Sequence, residues 1–277
     1  MLNCARMVEA IRRQTRSPDL FILNVPDTFG RTGEKYVIPT QLTNTVSVNH
    51  CGRDWGPATK FVPTIEFLKA NNFDGNTRII VIDDDWCYPK DMVAEYAAAD
   101  ASVAWTLQGL KLSSKKKLPK KSENFENYNT FAEAAAPFFS SHYQITKERR
   151  ANQWCLLRLP NLQHNMSCDV LEAWNSFCVT LDMFKNDFMD YMQAAMTCEL
   201  TKFADDLTIS NYLSKHGIEK RVFLSQKCNI QQLVPLMEGI LGKDALRNGG
   251  ALAETNLGRY VKLLHKWEAT GENYLMK

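Results

Sequence analysis

The sequence predicts an α/β fold, and three observations point to it. Short apolar, largely β-branched runs at 20–25 (Leu-Phe-Ile-Leu-Asn-Val), 45–49 and 79–82 (Ile-Ile-Val-Ile) have the length and composition of strands. Stretches whose apolar residues recur at helical spacing, such as Phe61, Ile65 and Leu68, lie between and after them. The 79–82 run passes directly into Asp83-Asp84-Asp85, so three carboxylates sit at the C-terminal end of a strand, the edge where open α/β sheets bind ligands.

Residues 8–15 read as a short basic helix that Ser17-Pro18-Asp19 stops. The first strand, 20–25, ends at Pro26-Asp27. The second, 45–49, leads into His50-Cys51-Gly52-Arg53-Asp54-Trp55-Gly56-Pro57-Ala58-Thr59-Lys60. Two glycines and a proline permit a tight backbone course there, and a helix follows. Glycines opening a helix near a strand end suit a diphosphate, and Lys60 in the first turns supplies compensating charge. The spacing is not that of a Walker loop. Arg53, Asp54 and Lys60 are therefore candidates for an anionic ligand, with a plain helix-entry loop as the alternative.

Three adjacent carboxylates repel one another unless a cation or hydrogen-bond donors neutralise them. Asp83 and Asp85 point the same way along an extended backbone and offer hard oxygen ligands to Mg²⁺ or Mn²⁺, which brings phosphate oxygens into its remaining positions. An acidic surface turn is the simpler alternative. It is disfavoured by the apolar strand before it and by Trp86 and Tyr88-Pro89 after it.

Further along, 90–107 reads as one helix with Met92, Val93, Tyr96, Ala97, Val103 and Ala104 on its apolar stripe. The lysine-rich stretch 111–121 changes composition abruptly and reads as a solvated surface loop, or else as a basic patch or a loop over the ligand. Trp154-Cys155-Leu156-Leu157-Arg158-Leu159 is another strand, and Cys168 to Trp174 precedes an apolar segment holding Phe177, Val179, Leu181 and Phe184. In 198–217, Asp205 and Asp206 open a helix, a favourable place for acids against the helix dipole and a sufficient structural reason for them. A last short strand fits within 221–234. Tyr260, Leu263, Leu264 and Trp267 then recur at the spacing of a terminal surface helix.

At 277 residues the chain is long enough for one substantial α/β domain, and 45% hydrophobic with 23% charged residues is the balance of a soluble globular protein. A net charge of +2 makes no general case for nucleic acid or a membrane surface. No stretch approaches the ~18 apolar residues of a membrane span and the start lacks an apolar signal region, so a soluble, cytoplasmic protein is expected. The eight cysteines contain no Cys-x-x-Cys pair and the five histidines no His-x-x-x-His, which argues against zinc and a disulfide framework.

Val-Ile-Asp-Asp-Asp at 81–85 resembles the Asp-x-Asp motif of nucleotide-sugar glycosyltransferases of the A-type (GT-A) fold. The resemblance extends to Asp54-Trp55-Gly56-Pro57-Ala58-Thr59-Lys60. This segment is similar to the Asp-Tyr-Gly-Pro-x-Thr-Lys of a group of bacterial and large-virus glycosyltransferases, with Trp55 in place of the usual Tyr and still able to stack on a base or ribose. The ordered motifs span about 19–217.

The resemblance implies a single domain, 1–277, with a Rossmann-like GT-A fold, a mixed and mostly parallel central sheet flanked by helices. Residues 1–108 would form a nucleotide half and 109–277 an acceptor half. It implies a metal-dependent transferase, inverting by analogy, that moves a sugar from a nucleoside diphosphate, with a UDP-sugar as the expected donor, to a glycan or glycoprotein hydroxyl. Donor contacts would come from Val25, Pro26, Arg31, Arg53, Asp54, Lys60, Asp83 and Asp84, and Mn²⁺ or Mg²⁺ would sit on Asp85 and Asp83. Glu172 and Trp174 would face the acceptor sugar, and Asp206, with Asp205 as the other choice, would take the acceptor proton. A sugar-phosphate nucleotidyltransferase, or a catalytically idle carbohydrate-binding protein, are the alternatives.

Overall fold

The computed structural model describes residues 2–30, 32–114, 154–159, 166–198, 200–223, 225, 227–228, 232–236 and 256–275. In chain order the elements are α1 (Leu2–Arg12), β1 (Ile22–Val25), α2 (Thr40–Thr43), β2 (Ser47–His50), a 3-10 turn (Gly56–Lys60) and α3 (Val62–Ala70). They continue with β3 (Arg78–Val81), β4 (Trp86–Cys87), α4 (Met92–Ala98) and β5 (Ala104–Thr106). Then follow β6 (Gly109–Ser114), β7 (Trp154–Leu159), β8 (Met166–Ser167), β9 (Val170–Leu171) and β10 (Phe177–Thr180). After these come α5 (Phe188–Met196), α6 (Asp205–Lys215), β11 (Lys220–Val222), β12 (Val234–Pro235) and α7 (Asn256–Thr270).

A five-stranded sheet in the order β3-β10-β5-β11-β8 forms the middle layer. Its side chains alternate between two cores, as the two-residue period of a strand requires. Ile79 and Val81 of β3, Phe177 and Val179 of β10, Ala104 of β5 and Val222 of β11 pack with Phe61, just before α3, and with Ile65, Leu68, Phe188, Met192 and Tyr212 from α3, α5 and α6. On the opposite face Cys178, Trp105 and Phe223 pack with Met7, Val8 and Ile11 of α1 and Met92 and Tyr96 of α4, and Ile80 and Ile82 join them. The result is a three-layer α/β/α arrangement. Phe177, with no exposed surface at the sheet's centre, is worth about 3–5 kcal/mol against Ala. A third core seats α7 through Leu263, Leu264 and Trp267 on Leu110, Leu112, Val170 and Leu207, so the terminal helix is packed rather than superficial.

The sheet is mixed, but not mostly parallel as expected. Only β5 with β11 is parallel in the five-stranded sheet; β10 runs antiparallel to both β3 and β5, and β8 antiparallel to β11. All four residues of β10 are buried, which lets it lie between two neighbours with both faces covered. β1 and β2 pair in parallel on their own. The three-stranded β7-β6-β9 and the short β12-β4 pair are antiparallel.

The helix expected over 90–107 stops at Ala98. Asp100 Oδ1 accepts from the Ser102 backbone N–H and hydroxyl, both at 2.8 Å, and Trp105 Nε1 donates to the Asp100 carbonyl. An Asx turn of this kind competes with helix, and Val103 and Ala104 belong to a loop and a strand instead. The N-terminal helix covers Leu2–Arg12 rather than 8–15. Of the lysine-rich stretch, Lys111 lies on β6 and pairs with Asp169 at 2.9 Å, while 115–121 fall outside the described residues. Among the described residues no helix is long and apolar enough to cross a membrane.

Candidate active site

The acidic turn after β3 is held from two directions. The Tyr88 hydroxyl accepts from the Asp83 N–H at 2.8 Å and donates to the Asp83 carbonyl at 3.1 Å. On the other side the Leu236 N–H donates to the Asp85 carbonyl at 2.8 Å, where β12 pairs with β4. Satisfied backbone on both sides fixes where the three carboxylates begin.

Facing this turn is the glycine-containing segment. Asp54 organises it: its Oδ1 accepts from the Gly56 N–H at 2.7 Å and the Thr59 hydroxyl at 3.0 Å, and its Oδ2 accepts from the Gly30 N–H at 2.7 Å. Gly56 has φ of +61°, and a Cβ there would come within 2.9 Å of the Lys202 carbonyl, so this position needs glycine on both counts. The 3-10 turn that follows delivers Lys60. Its Nζ lies 2.7 Å from Asp83 Oδ1 and 3.1 Å from Asp205 Oδ2. Three segments distant in sequence thus meet at one ammonium group.

The groups at this meeting point are poorly solvated. The Lys60, Asp83 and Asp205 side chains are 19%, 26% and 10% exposed, which keeps their interactions from being screened as surface pairs are. Burial disfavours the Lys60 charge, yet Asp205 and Asp83 outweigh it and raise its pKa above the usual lysine value. Burial raises the Asp83 carboxyl, with Lys60 pulling the other way. Asp85 is pushed up to about 6 by burial and then by Asp83 and Asp84.

Asp205 and Asp206 are neighbours on α6 with different surroundings. Asp206 is fully engaged: Oδ1 accepts from the Ala173 N–H at 2.9 Å and Oδ2 from the Tyr260 hydroxyl at 3.0 Å. Burial, then Asp205, raises its carboxyl well above the ordinary range. Asp206 ties α6 to the loop after β9 and to α7, so both of its oxygens are already committed to holding the fold. Asp205 instead turns to Lys60, and its Oδ2, although close to Lys60 Nζ, has no partner in hydrogen-bonding direction among the described residues. Of the two acids, Asp205 is the one with reach into the cluster.

The remaining sequence-selected residues divide between scaffold and site. Glu172 is buried and accepts from Trp174 Nε1 at 3.3 Å, so both belong to one loop after β9. The Trp174 ring lies 4.9 Å from that of Trp86, tilted by 49°, which brings the loop after β9 against the residue that follows the acids. Val25 and Pro26 are buried at the end of β1, and the Val25 carbonyl accepts from the Cys51 N–H. Arg53 is exposed, with its guanidinium 4.2 Å above the Trp55 ring. Trp55 itself is 4% exposed and built into the core under α3, so the stacking on a base or ribose expected of it is replaced by packing. Asp84 is exposed, and Arg31 lies outside the described residues.

Sequence reasoning missed Trp86 and Tyr88 as site residues, although both stand within the stretch that carries the acids. It also missed Tyr260, which helical periodicity assigned only to packing. Two hollows, of about 520 Å³ against α1 and Tyr88 and of about 620 Å³ beside Lys90, are lined by neither Lys60 nor Asp205.

A divalent cation fits the acidic turn in one respect that the structure displays. Asp85 Oδ1 is buried with no hydrogen-bond partner among the described residues, so a cation would take it as a ligand without displacing a bond. Among the described residues no three His, Cys, Asp or Glu side chains stand together as a complete metal cage. Asp83 and Asp85 alone would make a partial, all-oxygen set, the kind that Mg²⁺ or Mn²⁺ shares with substrate phosphates.

No protein-family model matches the chain, and no curated protein matches it significantly.

Proposed function

We propose that the chain is a metal-dependent glycosyltransferase that uses a nucleoside-diphosphate sugar, with a UDP-sugar as the expected donor, and a glycan hydroxyl as acceptor. The observation that carries this reading is the convergence on Lys60 of the acidic strand end, the Asp-Trp-Gly-Pro-Ala-Thr-Lys segment and the acid pair that opens α6. A lysine buried between two carboxylates adds little to the stability of a scaffold, whereas a phosphate site uses both signs of charge.

In this reading Asp85 and Asp83 hold Mn²⁺ or Mg²⁺, which neutralises charge on the leaving diphosphate when bound. Lys60 adds a second positive charge on the same side. Asp205 takes the proton of the acceptor hydroxyl in place of Asp206, whose oxygens serve Ala173 and Tyr260. Trp174, backed by Trp86, offers an aromatic face to the apolar side of a sugar ring, and Glu172 lies next to it.

The test is calorimetry of UDP, GDP, CDP and ADP with and without Mn²⁺. Binding of one diphosphate that requires the metal and is lost in Asp85→Ala is the expected result. If no diphosphate binds under any metal condition, the proposal fails and the acidic turn is a structural feature.

A further inference from the structure

Resting on the donor-site reading above, the geometry points to Lys60 as a charge relay that couples donor binding to release of the base. With no donor present its ammonium holds Asp83 and Asp205; an arriving nucleoside diphosphate draws it off both, freeing Asp83 for the cation and Asp205 for the acceptor hydroxyl.

Four observations lead there. Lys60 Nζ is shared between carboxylates that belong to two different tasks, one at the strand end and one on α6. Its hold on them is unequal, since Asp83 Oδ1 at 2.7 Å is hydrogen-bonded while Asp205 Oδ2 at 3.1 Å is off the donor direction. The backbone that delivers Lys60 is fastened by Asp54 through Gly30, Gly56 and Thr59, so only the flexible four-carbon side chain has to move. Asp85 Oδ1, two residues on from Asp83, is buried without a partner among the described residues, so the turn retains a demand for positive charge that Lys60 does not meet.

The consequence is an ordered exchange of charges. A metal ion arriving alone must compete with Lys60 for Asp83. Arriving with a diphosphate, it meets a carboxylate that the lysine is leaving, because phosphate oxygens give the ammonium a new partner. Asp205 is then unpaired only when a donor is in place, and the acceptor is deprotonated only when there is a sugar to transfer.

The deciding experiment compares Mn²⁺ binding alone, followed by electron paramagnetic resonance of the free ion, with calorimetric binding of UDP or GDP at saturating Mn²⁺, in the wild type and in Lys60→Met. The relay requires changes of opposite sign: Mn²⁺ alone binds roughly tenfold tighter in Lys60→Met, and the diphosphate with Mn²⁺ roughly tenfold weaker. A lysine that only braces the fold moves both in one direction or neither, and that outcome overturns the relay while leaving the donor-site reading standing. Lys60→Arg serves where Lys60→Met loses its structure by circular dichroism; it keeps the charge, so Mn²⁺ alone should bind as in the wild type, and tighter binding overturns the relay. If neither UDP nor GDP binds the wild type with Mn²⁺, the relay and the donor site fall together.

Discussion

Tyr88 grips Asp83 by its backbone: one hydroxyl accepts from the Asp83 N–H at 2.8 Å and donates to the Asp83 carbonyl at 3.1 Å. The ring is 5% exposed, so burial positions the hydroxyl and the hydroxyl positions the acids. Tyr88→Phe keeps the buried ring and removes both bonds. It is expected to lower stability by about 1–3 kcal/mol, because the Asp83 amide is left unsatisfied, and to weaken metal-dependent diphosphate binding more than stability alone explains. Thermal denaturation beside calorimetry checks this, and unchanged affinity would show that the turn holds its shape without Tyr88.

Asp54 is expected to behave as scaffold, although its place in the Asp-Trp-Gly-Pro-Ala-Thr-Lys segment suggests a ligand contact. Its carboxylate already accepts from Gly30, Gly56 and Thr59. Asp54→Ala should cost about 2–3 kcal/mol in chemical denaturation, and Lys60 should lose its placement with it. A variant of wild-type stability that had lost only donor affinity would reassign Asp54 to direct contact.

The parts of this site legible in the sequence are those written in consecutive residues. The strand before Asp83 follows from Ile79, Ile80, Val81 and Ile82, and the helix at Asp205 from its leading acids. Residues 90–107 were over-read as helix because Val103 and Ala104 match a helical period by coincidence, while the break rests on one Asx turn at Asp100. Strand order was not legible, since the insertion of β10 between β3 and β5 depends on pairings remote in sequence. Nor was the division of labour between Asp205 and Asp206. Adjacent residues on a helix point about 100° apart, and only the packed neighbours, Lys60 for one and Tyr260 with Ala173 for the other, reveal which faces the site.

That division gives a prediction in two measurements. Under the proposed function, Asp205→Asn should fold normally and lose transferase turnover by roughly 10²–10⁴-fold, the range of a lost general base. Asp206→Asn should instead change stability against pH. The folded-state pKa of Asp206 is raised above its unfolded value, so its contribution is fully present below the ordinary carboxylate pKa, about 4, and is lost as pH rises through the folded value. The neutral amide removes that dependence. Denaturation midpoints of wild type and Asp206→Asn should therefore diverge in the mutant's favour as pH rises above about 4; parallel curves would place Asp206 in an ordinary, solvated setting.

Trp86 and Trp174 carry the last prediction, because their contact joins the residue after the acids to the loop after β9, the proposed acceptor face. Trp174 is partly exposed and anchored at its Nε1 by Glu172 at 3.3 Å, an arrangement that fixes the ring while leaving part of it accessible. Trp174→Ala should weaken acceptor binding by about 1–2 kcal/mol, through lost stacking area, and leave diphosphate affinity near wild type. Trp86→Ala removes the support from below, so it should weaken the acceptor by less and disturb the donor as well, since Pro235 pairs with Trp86 and Leu236 holds the Asp85 carbonyl. Titrating a panel of oligosaccharides against tryptophan fluorescence reads both effects. Equal loss of donor and acceptor affinity in Trp174→Ala would mean that this ring braces the fold and does not face a sugar.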